Sequence, residues 1–226
     1  MTGTRAGDHA SAQQTLLKQD LFGRIVRLEN PGAMPLIMRD LEPARPWLRW
    51  LARHLARRET RALMHLADLD GVPRVVRAER NLTLRTWIAG RPMQIAKPRD
   101  LAYYRSAMQL LRQLHRRGVV HNDLAKEPNW LVTDSGEPAL VDFQLAMRRN
   151  RRGRLFRALA HDDIRHLLKH KRSYLPERLT ARERRILATP SIVTRVWMAS
   201  GKRVYRFITR RVLRWSDREG AGDRQL

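Results

Sequence analysis

No cysteine occurs among the 226 residues. Disulfides, thiol nucleophiles and thiolate-held metals are excluded, and the chain suits a reducing compartment. It also lacks any apolar run near the ~20 residues that a membrane-spanning helix needs. Its opening, "MTGTRAGDHASAQQ", has no apolar secretory segment and reads as a disordered tail over 1–14. These absences place the protein in the cytoplasm. Lysine is scarce, six of the 46 basic residues. Arginine does not replace a compact ammonium charge, so each lysine is a candidate for a specific task. Lys18 is the only one before Lys97, and Lys126 follows. Acidic residues are few: 22 carboxylates leave a net charge of +24, and from Arg148 onward 23 basic and 7 acidic residues carry +16 of it. Such an excess belongs either to a solvated, arginine-rich surface or to an anionic partner: a membrane surface, a nucleic acid or a phosphorylated ligand. What is present suffices for a core, since 42% of residues are hydrophobic and six are Trp. The length suits one large domain or a compact two-lobed one. No internal repeat occurs.

"TLLKQDLFGRIVRLENPGAMPLIMRDL" alternates and is punctuated by Gly23 and "NPGA". It predicts an antiparallel meander of strands at about 15–20, 24–29 and 35–40. Residues 46–67 predict a helix with Pro46 in its first turn and a stripe of Leu48, Leu51, Leu55, Ala62 and Leu66. Glu59 falls on that stripe. A carboxylate there is either solvated at its edge or paired with a cation, because a lone charge in a core is costly. Two more strands are expected at 73–78 and 82–88. A helix should then run from the N-cap Asp100 to Arg117, burying Leu101, Tyr104, Met108, Leu111 and Leu114 and ending at Gly118. Further helices are expected at 160–170, 180–188 and 191–215. The last places Trp197, Val204, Ile208, Val212 and Trp215 on one face and Lys202, Arg203, Arg206, Arg210 and Arg214 on the other. It suits packing with the arginines reaching outward, or an anionic membrane surface.

Between helix and hairpin lies "HNDLAKEPNWLV", residues 121–132, dense in polar groups ahead of a strand. "WLVT" and "PALV" form a hairpin across the turn "DSGE". A four-residue turn pairs Thr133 with Pro138 and sets Asn129 opposite Asp142, at the same end as Asp123. Asn129 and Asp142 are hard oxygen ligands suited to Mg²⁺. Asp123 is placed to accept a proton from a hydroxyl nucleophile, and Lys126 to neutralise charge on a moving phosphoryl group. Metal, base and cation together point to phosphoryl transfer.

"HNDLAKEPN", followed after a hairpin by "DFQ", resembles the catalytic loop and metal-binding Asp-Phe-Gly of the protein-kinase superfamily, nearest to its small bacterial, RIO-like and lipopolysaccharide-core-kinase-like members. The resemblance covers about residues 15–170. It implies an α+β, two-lobed protein-kinase-like fold with an antiparallel-sheet N-lobe over 15–89. A mainly helical, shortened C-lobe follows over 90–215, and then a flexible tail over 216–226. It implies Asp123 as catalytic base, Asn129 and Asp142 as Mg²⁺ ligands, and His121 as the structural histidine of the loop. Glu59 matches the helix glutamate that pairs with a strand-three lysine, and Thr86, Trp87 and Ile88 fall in the hinge that receives adenine. The departures are specific. Five residues, not four, separate Asp123 from Asn129. Gln144 replaces the glycine after Asp142 and Phe143. Gly23 is the only glycine of a reduced phosphate loop, "DLFG". Arg39 stands where the family has lysine, so either Arg39 or the relocated Lys18 holds the ATP phosphates. Asp162 or Asp163 is the aspartate that braces the loop. No Ala-Pro-Glu motif or long activation segment is present.

The implied function is ATP- and Mg²⁺-dependent transfer of the γ-phosphoryl group to a hydroxyl, first of protein Ser/Thr. The alternatives are a sugar or lipopolysaccharide-core acceptor and, in another class, a pseudokinase that binds without turnover. Helix 191–215 would add a peripheral contact with the inner face of the membrane. Nucleic-acid binding rests on charge alone and is not expected.

Overall fold

Apolar alternation from Gln13 to Asp40 builds three antiparallel strands, as the sequence predicts: β1 (Gln13–Asp20), β2 (Gly23–Glu29) and β3 (Leu36–Asp40). The computed structural model describes residues 13–29 and 31–189. The expected helix 191–215 and the two tails lie outside them, except Gln13 and Gln14, which pair with Glu29 and Leu28. β4 (Val75–Ala78) and β5 (Leu82–Thr86) complete a five-stranded sheet of order β1-β2-β3-β5-β4. Helix α1 (Arg49–His65) connects β3 to β4 and begins three residues after Pro46. Its buried line is Ala52, Ala56, Glu59, Ala62 and Leu63, while Leu51 and Leu55 are only half-buried. Leu48, Glu59, Ala62 and Leu66 of the expected stripe are buried, and only in its first half do Ala52 and Ala56 take the inward places expected of Leu51 and Leu55. Small alanines face inward, which lets it approach its neighbours closely.

After β6 (Arg91–Pro92) and the short α2 (Met93–Ala96), α3 (Leu101–Arg116) starts where Asp100 accepts a hydrogen bond from the Ala102 amide at 2.9 Å. It ends at Gly118, whose φ of +72° closes the helix as glycine does. β7 (Val119–Val120) leads into the polar loop. The hairpin of β8 (Trp130–Val132) and β9 (Pro138–Leu140) joins β6 in a three-stranded sheet. β10 (Met147–Arg148) pairs with β7, and α4 (Arg154–Tyr174) extends well beyond the expected 160–170. The described residues fall into two units divided after Thr180; α5 (Ala181–Ala188) belongs to the second.

The hairpin register differs from expectation by one residue. Val132, not Thr133, opposes Pro138, and Trp130 opposes Leu140. Thr133 belongs to the turn: its hydroxyl accepts from the Glu137 amide at 3.0 Å and its amide donates to Glu137 O at 2.9 Å. The turn thus has five residues, and Asn129 meets Val141, whose amide donates to Asn129 O at 3.1 Å. Asp142 lies one position further along.

The core gathers Leu63 and Leu66 of α1, Leu111 and Leu114 of α3, Trp130 and Leu140 of the hairpin, and Leu167 of α4. Leu124 and Phe143, both fully buried, belong to it as well. Each contributes about 1.5–3 kcal/mol of burial. They anchor, from below, the two segments that carry Asp123 and Asp142.

Candidate active site

The polar loop is satisfied residue by residue. The backbone amides of His121 and Asn122 donate to the buried Asp163 carboxylate at 2.8 and 3.0 Å. His115 Nε2 donates to the same carboxylate at 3.1 Å. His121, itself fully buried, donates from Nε2 to Val141 O at 3.0 Å and lies against Phe143. Asn122 takes a left-handed φ of +65° that swings the chain outward at Asp123, and its side chain donates to Leu145 O at 3.0 Å. Leu124 returns to the core, and its carbonyl accepts from His170 Nε2 at 2.8 Å. Residues Glu127–Asn129 close the loop as a 3-10 turn.

Asp123, Asn129 and Lys126 meet. The Asn129 amide nitrogen donates to Asp123 O at 2.9 Å and to Asp123 Oδ2 at 3.1 Å. Lys126 Nζ lies 3.0 Å from the same Oδ2. One carboxylate oxygen is thus oriented by an amide and an ammonium. Of the five residues between Asp123 and Asn129, Lys126 is the third, and its ammonium turns back to the Asp123 carboxylate.

Asp142 also adopts a left-handed conformation, φ +63° and ψ +67°. Asp tolerates it better than most residues. This turn carries its carboxylate out of the hairpin ladder. Asp142 Oδ1 is buried and has no hydrogen-bond partner among the described residues. A buried carboxylate oxygen without a donor is costly unless a cation completes it. With the Asn129 nitrogen engaged by Asp123, the Asn129 carbonyl oxygen is the half of that amide left to act as a ligand. Among the described residues no cluster of three His, Cys, Asp or Glu forms a metal cage. The residues fit an ion of the Mg²⁺ type, held by few protein oxygens and completed by phosphate and water.

The Glu59 question resolves toward pairing. Only 3% exposed, it meets two guanidiniums: Arg39 Nε lies 3.6 Å from Oε2, and Arg85 Nη1 pairs with Oε1. Arg85 escaped sequence analysis, although the two-residue strand period puts it on the same face of β5 as the buried Thr83. The sheet register, with Ile37 opposite Arg85 and Arg39 opposite Thr83, sets the two arginines diagonally on neighbouring strands. Lys18 is not brought to this group; it stands on the exposed edge strand β1, 3.4 Å from Asp20.

Gly23, at φ +126°, packs against β3: a β-carbon there would stand 2.3 Å from Asp40 O. The β1–β2 turn is only Leu21 and Phe22, with Asp20 Oδ1 accepting from the Phe22 amide at 2.8 Å. The Thr86 and Trp87 amides donate to Arg74 O and Pro35 O, both at 2.9 Å, and Arg27 sits over the Trp87 ring at 4.7 Å. Ile88 follows on the connector.

Two further residues were not foreseen. Arg58 of α1 donates to Ala146 O at 2.6 Å and Leu145 O at 2.8 Å, tying the helix to the segment that follows Asp142. His170 braces Leu124, and burial pushes its imidazole pKa below the ordinary value. Neither belongs to a local motif, since the first pairing spans 88 residues and the second 46.

A family model described as the RIO domain matches residues 39–183. The dual specificity protein kinase Ttk of Danio rerio is 39% identical over 67 residues, 29% of this chain but 6% of that protein. The Rio2 kinase of Chaetomium thermophilum superposes with a TM-score of 0.57 at 14% identity, covering 80% of this chain and 60% of that one. The chain therefore spans a small part of the first relative and three-fifths of the second, and the second likeness concerns fold. The two-lobed, kinase-like α+β fold expected from the sequence is the fold observed. The RIO domain model runs from Arg39 through the polar loop and Asp142 to the end of α4 and beyond, well over half of the residues, and the chain belongs to the RIO domain family.

Proposed function

We propose that the protein is an ATP- and Mg²⁺-dependent phosphotransferase that moves the γ-phosphoryl group to a hydroxyl, first of all on protein Ser or Thr. One observation carries this reading. Asp123 is oriented by Asn129 and Lys126, and Asp142, just past the hairpin that begins after Asn129, has a buried Oδ1 with no hydrogen-bond donor among the described residues. In this reading Asp123 accepts the proton of the acceptor hydroxyl. Lys126, on the same carboxylate oxygen, offers positive charge to the phosphoryl group as it passes. Asn129 and Asp142 hold the ion, and Mg·ATP supplies the reactive phosphoryl group and a charge-neutralising cation. Arg39 and Arg85 against the single Glu59 leave a surplus buried positive charge, which an ATP phosphate would balance. This favours Arg39 over the exposed Lys18 as the phosphate contact. In the hinge, Thr86 and Trp87 have committed their amides, which favours the backbone from Ile88 onward to meet adenine.

A second reading, a module that binds nucleotide without turnover, is favoured by the two-residue β1–β2 turn, which offers a short cover for phosphates, with Gly23 packed against Asp40. Incubation with γ-labelled ATP, Mg²⁺ and cell extract separates them. Label in protein bands supports the first reading, and label in a glycolipid fraction moves the acceptor to a sugar. Nucleotide binding with no label in either fraction establishes the second.

A further inference from the structure

A second feature of the fold lies on the other side of α1 from Glu59. A groove of about 1110 Å³ runs between α1 and the segment after Asp142. Arg57, Arg58 and Arg61 line it from the helix, and Arg148, Arg149 and Arg151 from the segment; among the described residues no acidic one does. Arg58 is committed to the carbonyls of Leu145 and Ala146. The other five guanidiniums are exposed and make no ion pair among the described residues. Five like charges facing one concavity repel each other, and an anion between them relieves that repulsion.

The chemistry of the walls narrows the anion. A planar guanidinium fork matches phosphate oxygens two at a time. Residues 146–153, "AMRRNRRG", contain no hydroxyl, so this segment does not supply the phosphate itself. Among the described residues no Phe, Tyr or Trp lines the groove and its only rings are those of His54 and His65, a poor stacking platform for single-stranded nucleic acid. The charges line two facing walls of a concavity, which favours a ligand that enters between them over a flat lipid surface.

We propose that this groove binds a compact, multiply phosphorylated molecule, gripped by α1 on one side and by residues 148–151 on the other. Such a ligand strengthens the link that Arg58 already makes. It thereby steadies α1, which carries Glu59, against the segment that carries Asp142. The binding does not depend on whether the protein transfers phosphoryl groups.

The test is calorimetric titration of the full chain with inorganic tripolyphosphate, with hydrogen exchange on the same samples. The expected result is saturable one-to-one binding and slowed exchange in α1 and 146–151. Arg61→Glu and Arg151→Glu should each weaken binding by about tenfold or more, whereas Arg80→Glu, on the distant β4–β5 turn, should leave it unchanged. Equal weakening by Arg80→Glu would reduce the effect to bulk charge and overturn the proposal. So would a loss caused by Asp142→Asn but not by Arg61→Glu, which would place the ligand in the catalytic cleft. Tighter binding of an oligonucleotide or of phosphatidylglycerol vesicles through the same arginines would replace the compact ligand with a polymer or a membrane. Absence of binding would end the proposal.

Discussion

Asp123 and Asp142 are separated by 19 positions yet are governed by one physical device, a non-glycine residue in the left-handed region. Asn122 and Asp142 both adopt it, at φ +65° and +63°. Such conformations cost of order 1–3 kcal/mol and persist where the surroundings hold them. Here Asp163, Val141 and Leu145 supply the holding bonds. Asp123→Asn keeps the shape of the loop and removes the proposed base. Labelled-phosphate turnover should fall by about 10²–10⁴-fold with nucleotide binding nearly intact, and unchanged turnover would remove Asp123 from that role. Asp142→Asn also tolerates the left-handed turn, so its melting temperature should stay close to that of the parent. Its nucleotide affinity should lose its dependence on Mg²⁺, measurable by titration with and without the ion. A β-branched Asp142→Val should lower stability as well, because valine takes this conformation poorly.

At the scale of elements, the buried triad of α1, β3 and β5 is the feature most exposed to perturbation. Glu59→Ala leaves Arg39 and Arg85 buried without a counter-charge and should cost about 3–5 kcal/mol in urea unfolding. Lys18→Ala breaks only an exposed pair and should be close to neutral. If Lys18→Ala weakened ATP binding more than Arg39→Ala did, the phosphate contact would move to β1. Gly23→Ala combines an unfavourable φ with a clash against Asp40 O, and should loosen the contact of β2 with β3. That would be visible as faster hydrogen exchange in those two strands. Most of these elements were legible in the sequence, since period-two alternation, an Asp N-cap and a glycine stop are local signals. The strands of two residues, β6, β7 and β10, were not. They exist because a neighbouring chain offers hydrogen-bond partners, and no periodicity shows in two residues.

For the molecule as a whole, the helix under the loop links stability to pH. Burial lowers the pKa of His166 and of His170 on α4, so the folded state holds both neutral. The unfolded chain protonates them near pH ~6.5. Below that value the unfolded state binds the extra protons, so stability is full above it and is lost as the pH falls toward the folded-state values. Unfolding free energy should decline between about pH 7 and pH 5. The double variant His166→Gln, His170→Gln should flatten the decline; an unaltered slope would assign it to other groups. Net charge acts at the same scale. At +24, with five groove arginines that make no ion pair among the described residues, added phosphate should stabilise the fold more than chloride at equal ionic strength.

Sequence alone was enough to determine the meander, helices α1 and α3, and the polar loop that carries Asp123 and Asn129 ahead of the hairpin that leads to Asp142. In each case the signal lies within a few residues, as a period, a cap or a spacing. Tertiary structure decided the rest. It selected Asp163 over Asp162, because only one of two adjacent helical positions faces the loop. It gave Glu59 a second arginine, because strand register and not chain distance sets who is diagonal to whom. It moved the hairpin by one residue, because the hydroxyl of Thr133 bonds within the turn instead of joining the ladder. It drew arginines from α1 and from 148–151 into one acid-free groove, a juxtaposition that exists only once the chain has folded back on itself.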